Sequence, residues 1–321
     1  MTAEEAASIM YKNFQNKDIV NRQVLDANQA QKLSLTLNRP TLNGVSILQR
    51  PPSEGTPLPP GYHLVYFTPG GLESQLGADG TDTSFNAPVP FTRRMWAGGQ
   101  MEWPSSSSLT SSNGPELRVG DEVEEVTTLI SATPKKSRSA GEMVLVEVKK
   151  EFHGPRGLAL EDRRSWIFRP EAKPAADKLT AQVLADAEVR EPSLVRDEVA
   201  ETGQPVRTLR WSPTGLFRFS ALTFNGHKIH YNEEWTNNVE GHPGLVVHGP
   251  LNLINILNFW QDFHGKGEFP ASIKYRALSP LYAGQEYQIR STKTESVEAG
   301  NKWEVVAQRD DVLCMRAEIV G

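Results

Sequence analysis

Two stretches of the 321-residue chain alternate apolar and polar residues with a period of two, and each does so twice in succession. In the first, "ELRVGDEVEEVTTLISATPKK" is followed by "GEMVLVEVKKEF"; in the second, "PLYAGQEYQIRSTKTESVEAG" leads into "NKWEVVAQRDDVLCMRAEIV". Alternation of this kind marks strands with one buried face, and a turn glycine, Gly120 or Gly284, opens each set. The pattern predicts one antiparallel meander per half of the chain, hence an internal repeat. A weaker match joins "LSLTLNRP" (33–40) to "FSALTFNGHK" (219–228) and pairs Asn38 with Asn225. That pairing makes the first copy longer by about 23 residues, and the Pro/Gly-rich "RPPSEGTPLPPGYH" (50–63) is the expected insertion, since such composition makes irregular connections. "SSSSLTSSNG" (105–114) reads as a surface loop.

Between the meanders the second half divides further. "PVRTLRWS" reads as a strand, and "SPTGLFRFSAL" as a helix with Ser212 at its cap and Pro213 in its first turn. "TFNGHKIHYN" is a loop and "NEEWTNNV" a short helix. "GPLNLINILNFWQDF" is a long helix with Leu251, Ile254, Leu257 and Trp260 on one face. One long helix wrapped by an antiparallel sheet is a hot-dog fold, and two copies make a double hot dog of the α+β class, each sheet around its own central long helix. The expected division is a first hot-dog domain over 1–170, a linker over 171–202 carrying a helix near 176–187, and a second hot-dog domain over 203–321.

Composition narrows the function classes. A formal charge of −5 argues against a general nucleic-acid binder, which presents a basic face. No apolar run approaches the roughly 18 residues of a bilayer-spanning helix. The single cysteine, Cys314, lies within strand-like alternation and fits a reducing compartment. The N-terminus, with Glu4 and Glu5, lacks the Arg-rich look of a transit peptide, so the cytoplasm is the expected address.

Candidate chemistry concentrates in one place. Of seven histidines, His227 and His230 fall in "FNGHKIHY", and His242 and His248 in the following "EGHPGLVVHGPLNLINIL". Imidazole titrates near neutrality, so such a cluster suits proton transfer. A metal site at His227 and His230 would need a third and fourth ligand, and that segment supplies no carboxylate or cysteine.

"FRFSALTFNGHKIHY" together with "EGHPGLVVHGPL" resembles the MaoC-like, or (R)-specific hydratase, family of hot-dog enzymes, in particular the subgroup of mesaconyl-C4-CoA and itaconyl-CoA hydratases and mitochondrial 3-hydroxyacyl-thioester dehydratases. "PPGYHLVYF" and "PVPFTRRMWAGG" resemble the N-terminal hot dog of the same subgroup, so the likeness spans roughly 20–170 and 203–320. It implies reversible hydration or dehydration of an enoyl or 3-hydroxyacyl thioester on coenzyme A or an acyl carrier, including dicarboxylic acyl groups. By the same resemblance no cofactor is needed beyond the carrier itself, the partner is a small acyl thioester, a dimer of double hot-dog chains is compatible, and a mitochondrial address is an alternative. A specialised-pathway dehydratase, a hot-dog thioesterase and a non-catalytic thioester-binding protein are the rival functions.

The family motif runs Gly-Asp-any-Asn-Pro-aliphatic-His. Here Asn225 stands at the Asp, His227 at the Asn, Lys228 at the Pro and His230 at the final His. The resemblance makes His230 the catalytic base. Asn225, an amide that cannot exchange a proton, would position the water or hydroxyl. A single imidazole could then serve both halves of a syn elimination. The oxyanion donor is expected in the amide of Gly249, just before the long helix, with that of Leu251 the lesser candidate. His227 is either a second catalytic group or a loop brace, and His242 a turn residue. His248 is expected on the substrate-binding side of the site, where it could hold the Gly249 peptide. Arg93 and Arg94 suit a phosphate or carboxylate, or are plain surface cations. Trp96 and Trp235 would line the acyl pocket or be plain core, and Tyr231 is expected to bind substrate. The first half, which has Asn43 where a histidine would follow Asn38, is expected to be degenerate.

Overall fold

The computed structural model describes residues 1–104, 114–137, 141–171, 191–298 and 300–321. The helix expected near 176–187 and nearly all of the 105–114 loop lie outside them. In chain order the first half runs α1 (Ala3–Phe14), β1 (Asp18–Val24), α2 (Ala27–Thr36), the short β2 (Thr41–Leu42) and β3 (Val45–Ser46), then β4 (Arg93–Glu102), β5 (Glu122–Ser137), β6 (Gly141–Gly154) and β7 (Gly157–Arg169). The second runs β8 (Leu194–Val199), β9 (Pro205–Arg210), α3 (Pro213–Leu222), α4 (Glu233–Asn238), α5 (Gly249–Phe263), β10 (Ser272–Ala277), β11 (Glu286–Val297), β12 (Gly300–Arg309) and β13 (Val312–Val320). β8 falls inside the expected linker. It is an edge strand paired with β9 from Leu194 opposite Arg210 to Val199 opposite Pro205.

Each meander forms as the alternation requires, with every second residue of β5 from Val123 to Leu129 buried. Gly120 and Gly284 both sit at positive φ, 90° and 83°, in the turns that launch β5 and β11. The two meanders belong to one sheet. Its eleven strands are ordered β1-β5-β6-β7-β4-β10-β13-β12-β11-β9-β8, and the halves join where β4 pairs antiparallel with β10, Glu102 opposite Ser272.

Among the described residues, the long helix expected in each half is present only in the second. α5 is buried on all sides from Leu251 to Gln261 rather than along one stripe, because both halves cover it. The sheet of the second half wraps one flank. Against another lies a 3-10 turn of the first half, Tyr62–Val65, which holds the place of a first central helix. Gly61, at its start, lies so near Ile254 and Leu257 that an added Cβ would stand 3.3 and 3.0 Å from their side chains. One helix thus serves a core drawn from both halves, from Leu25 and Leu33 to Ile273 and Ile319.

The repeat is real, but its register differs by one from the pairing of Asn38 with Asn225. Asp26 and Ser212 cap α2 and α3, each accepting from the N–H three residues on. Both helices then end in the same turn: Asn38 and Phe224 take positive φ, and the next N–H, of Arg39 or Asn225, bonds back to Ser34 or Ser220. The counterpart of Asn225 is therefore Arg39. Twenty-eight residues beyond each serine comes its hydrogen-bond partner, Tyr62 for Ser34 and His248 for Ser220, each at 2.9 Å. Equal spacing means that 50–63 is no insertion. The extra length of the first copy enters after Tyr62, in the irregular run before β4 and between β4 and β5.

Candidate active site

The loop after α3 is folded by its own polar groups. Oδ1 of Asn225 accepts the N–H of His227 at 3.1 Å, an Asx turn. This leaves the amide's Nδ2 as its free donor group. A 3-10 turn over Lys228–His230 then carries His230 inward to a buried position. Its Nδ1 lies 2.7 Å from the carbonyl of Val246. A carbonyl only accepts, so Nδ1 holds the ring proton and Nε2 presents a lone pair. Burial, reinforced by His227, pushes the His230 imidazole down to about 3, against the hydrogen bond to Val246. It is a neutral base at physiological pH.

Gly249 opens α5, with Pro250 following in the first turn. The N–H groups there have no intrahelical acceptor, and the helix dipole favours negative charge beside them. His248 precedes it as N-cap residue but makes no side-chain cap bond. The expectation that His248 braces the Gly249 peptide is corrected. Its Nε2 meets Ser220 Oγ at 2.9 Å, and its ring lies flat on that of His230, centroids 3.6 Å apart. Burial, with His230 and His227 adding to it, drives His248 well below its ordinary value.

Most of the residues singled out for the site line one cavity of about 2350 Å³: Asn225, His227, His230 and Tyr231 from the loop, His248 and Gly249 at the start of α5, Arg94 and Trp96 from β4. The last two belong to the first half. Trp96 covers the helix start so closely that a Cβ on Gly249 would sit 3.4 Å from its side chain. Tyr231 spends its hydroxyl on the carbonyl of Gly226 at 3.0 Å, so it offers the cavity a ring edge. Arg94 is half-buried against the ring of Trp166, 5.3 Å from its centroid, and Asp82 stands 3.7 Å away. Burial lowers the Arg94 guanidinium from its ordinary value, with Asp82 and Asp79 opposing. Arg93 is not free; it pairs with the nearly buried Glu240. Trp235 lies outside the lining and carries the ammonium of Lys228 over its ring at 4.2 Å. His242 contacts the Tyr282 hydroxyl through Nδ1 at 3.2 Å, as a turn residue.

Two features were not legible beforehand. A loop of the first half, residues 77–81, packs on the motif and brings Asp79 Oδ2 to 3.7 Å from His227 Nε2. "GADGTD" carries no pattern that announces this. The second is a buried chain behind Trp96: His63 Nε2 to Asp162 at 3.2 Å, Asp162 to Arg164 at 2.7 Å, and the Arg164 guanidinium 5.4 Å from the Trp96 ring. Burial would raise the Asp162 carboxyl, yet Arg164 and His63 outweigh it and hold it at about 2. The docking of the 3-10 turn Tyr62–Val65 against β7 and the pairing of β7 with β4 make this chain.

A double hot dog with a buried neutral histidine beside a helix N-terminus defines the class of hot-dog hydratases and dehydratases, and the comparisons narrow it. The model of the family "Hydroxyacyl-thioester dehydratase type 2" matches residues 61–283. The chain is 32% identical over 233 residues to the mesaconyl-C(4)-CoA hydratase of Chloroflexus aurantiacus, covering 72% of this chain and 73% of that protein. It is 24% identical to the mitochondrial hydroxyacyl-thioester dehydratase type 2 of Schizosaccharomyces pombe, with 77% and 80% covered. Among solved structures, HtdX of Mycobacterium tuberculosis matches 95% of this chain and all of its own at a TM-score of 0.59 and 12% identity. A MaoC-like dehydratase from Phytophthora capsici matches 98% of each chain at 0.57 and 14%. The chain belongs to the hydroxyacyl-thioester dehydratase type 2 family. It is an enzyme of the hydratase and dehydratase kind, which sets aside the non-catalytic alternative. No helix among the described residues is long and apolar enough to cross a membrane.

Proposed function

We propose that the protein hydrates and dehydrates a short dicarboxylic acyl thioester of coenzyme A, of the mesaconyl or itaconyl kind, with His230 as the proton-transfer group. The observation that carries the reading is the hydrogen bond from His230 Nδ1 to the Val246 carbonyl, which leaves Nε2 free in the cavity.

In dehydration, Nε2 of His230 takes the α-proton, and the C–H electron pair becomes the new C=C bond as the C–O bond breaks. The departing hydroxyl collects that same proton from His230 and leaves as water, so the imidazole ends as it began. Charge that develops on the thioester oxygen falls to the Gly249 amide, where one such donor is worth roughly 10²–10³ in rate. Asn225 Nδ2 donates to the hydroxyl oxygen. The reaction needs no cofactor other than the carrier. Both hot-dog halves of one chain line the cavity, so a second copy is not required to complete it.

The dicarboxylic assignment has two supports. Arg94 is a half-buried guanidinium in the cavity wall whose carboxylate neighbour, Asp82, stays beyond hydrogen-bond reach at 3.7 Å. The Chloroflexus aurantiacus relative is a hydratase of mesaconyl-C4-CoA. The test is a panel of enoyl and 3-hydroxyacyl thioesters followed by mass spectrometry, with His230→Ala as control. Gain or loss of water on a carboxylate-bearing acyl group, reduced more than tenfold in the variant, supports the reading. Release of free thiol would make the protein a thioesterase, and a variant keeping more than a tenth of wild-type turnover would remove His230 from its role.

A further inference from the structure

The loop that carries Asp79 is built to meet the motif and not merely to pass it. Gly77 and Thr81 close the loop through the Gly77 N–H and the Thr81 carbonyl at 2.8 Å. The Thr81 N–H and hydroxyl both donate to Asp79 Oδ1, at 2.9 and 2.7 Å, so that one carboxylate oxygen is fully engaged and the other is left over. Lys228 ties the two segments together: its N–H donates to the Asp79 carbonyl at 2.8 Å and its ammonium to the Ala78 carbonyl at 2.7 Å. At the crossing, backbone meets backbone. A Cβ on Gly80 would run into the Gly226 carbonyl, and one on Gly226 would stand 2.8 Å from the Gly80 carbonyl.

The leftover oxygen, Oδ2, faces Nε2 of His227 at 3.7 Å. That nitrogen is sealed from solvent and has no hydrogen-bond partner among the described residues. Nδ1 of the same ring is not sealed in this way, and His227 lines the cavity, whereas Asp79 does not. The other charged or titratable groups around the ring are Arg94 and Arg93 on β4, His242 in the turn, and His230, whose ring meets it edge-on at 5.4 Å. Asp79 is the carboxylate aimed at it.

We propose that Asp79 is a positioning residue that fixes the tautomer of His227: Nε2 carries the proton toward Asp79, and Nδ1 presents its lone pair to the hydroxyl that is added or lost. This rests on the hydration reading above and deepens it. At 3.7 Å the pair is longer than a hydrogen bond, yet the carboxylate charge favours the ring tautomer whose proton sits on the nitrogen facing it, and the opposite nitrogen is then left to accept. The substrate hydroxyl has a hydrogen and an oxygen lone pair to place. Nδ1 of His227 takes the hydrogen and Asn225 Nδ2 supplies a donor to the oxygen, which fixes the hydroxyl's orientation for exchange with His230. His227 stays neutral throughout: burial, then Arg94 and Arg93, hold it down to about 3. The amide at position 225 therefore does not stand alone. The first half of the chain supplies the carboxylate that the motif lacks, one residue removed from the reacting atoms.

The test is nitrogen-15 NMR of histidine-labelled enzyme, with Asp79→Asn and Asp79→Ala beside it. In the wild type, His227 shows a protonated Nε2 and a bare Nδ1. Asp79→Asn turns an NH2 group toward Nε2 and switches the ring to the opposite tautomer, and kcat falls at least tenfold while KM stays within about threefold. Asp79→Ala, which forces no tautomer, is less damaging than Asp79→Asn, the reverse of what simple loss of packing gives. A wild-type His227 protonated on Nδ1, or an Asp79→Asn enzyme within twofold of wild-type kcat, overturns the proposal. The wild-type spectrum decides even if the variants do not fold, and it decides separately from whether any thioester is turned over.

Discussion

His248 lies flat on His230, ring centroids 3.6 Å apart and planes within 17° of parallel, and Ser220 fastens the outer ring at Nε2. The stack confines the base from one side while its bond to Val246 confines it along the ring edge. Neutral imidazoles tolerate this arrangement; two charged ones would repel. Ser220→Ala removes the fastening and leaves a buried ring nitrogen without a partner, at a cost of about 1–3 kcal/mol. Urea unfolding should show that loss, and turnover should fall several-fold as the rings loosen, with KM less affected.

Stability should decline as the solution is acidified below neutrality. His227 and His230 are held near 3 by burial in the folded chain, whereas unfolded histidine titrates near 6.5. Between those values the unfolded chain binds protons that the fold refuses. The stabilisation is therefore complete above about 6.5 and is lost as pH falls toward 3, by about 1.4 kcal/mol per unit for each histidine. Urea unfolding at pH 7.5 and 5.5 should differ by about 2–3 kcal/mol on this account. Rate should respond differently. If His230 is the proton-transfer group proposed, it acts unprotonated, and the acid limb of kcat/KM lies well below the ordinary histidine range.

Gly249→Ala separates catalysis from folding. The new methyl would stand 3.4 Å from the Trp96 side chain, a contact the fold can absorb, and alanine is the better helix former. The methyl would occupy the approach of the thioester to the amide. Expected is a kcat/KM lower by about tenfold or more with a melting temperature little changed, since losing an oxyanion donor outright costs about 10²–10³.

Arg94→Leu tests the acyl group. If the guanidinium receives a substrate carboxylate, kcat/KM for mesaconyl-C4-CoA falls by about 10–100-fold, the worth of a charged hydrogen bond. Crotonyl-CoA, with a methyl in that place, should be affected only a few-fold. Equal losses on both substrates would make Arg94 a structural cation.

The second half was almost fully legible in the sequence. Ser212 with Pro213 marked the start of α3, and the bounds expected for the long helix are those of α5, because caps and periodicity are local signals. His230, His248 and Gly249 were picked out by the resemblance of their motifs to the MaoC-like family, and the fold brings all three to one cavity. What escaped was everything that depends on the other half. Leu251, Ile254, Leu257 and Trp260 suggested a one-sided helix because nothing in their spacing shows that Gly61 and Tyr62 will close the far side. Asp79 and the chain of His63, Asp162 and Arg164 are assembled by loop docking and strand pairing across long separations. The one-residue error at Asn38 has a plain cause: identical side chains were aligned, whereas the fold aligns the helix-ending turn.

The bond between Ser34 and Tyr62 shows what became of the sister half. It occupies the place of the bond between Ser220 and His248, with a phenol where an imidazole would stand. In that same register His63 falls at the place of Gly249, and Arg39, tied to Asp262 by two bonds of 2.6 and 2.8 Å, at that of Asn225. An imidazole placed at position 62 would therefore not give this half a matching site, since Gly44 stands in the register of His230 and Arg39 is held by Asp262. The first half thus shares the frame of the second while its corresponding side chains are tied into the structure.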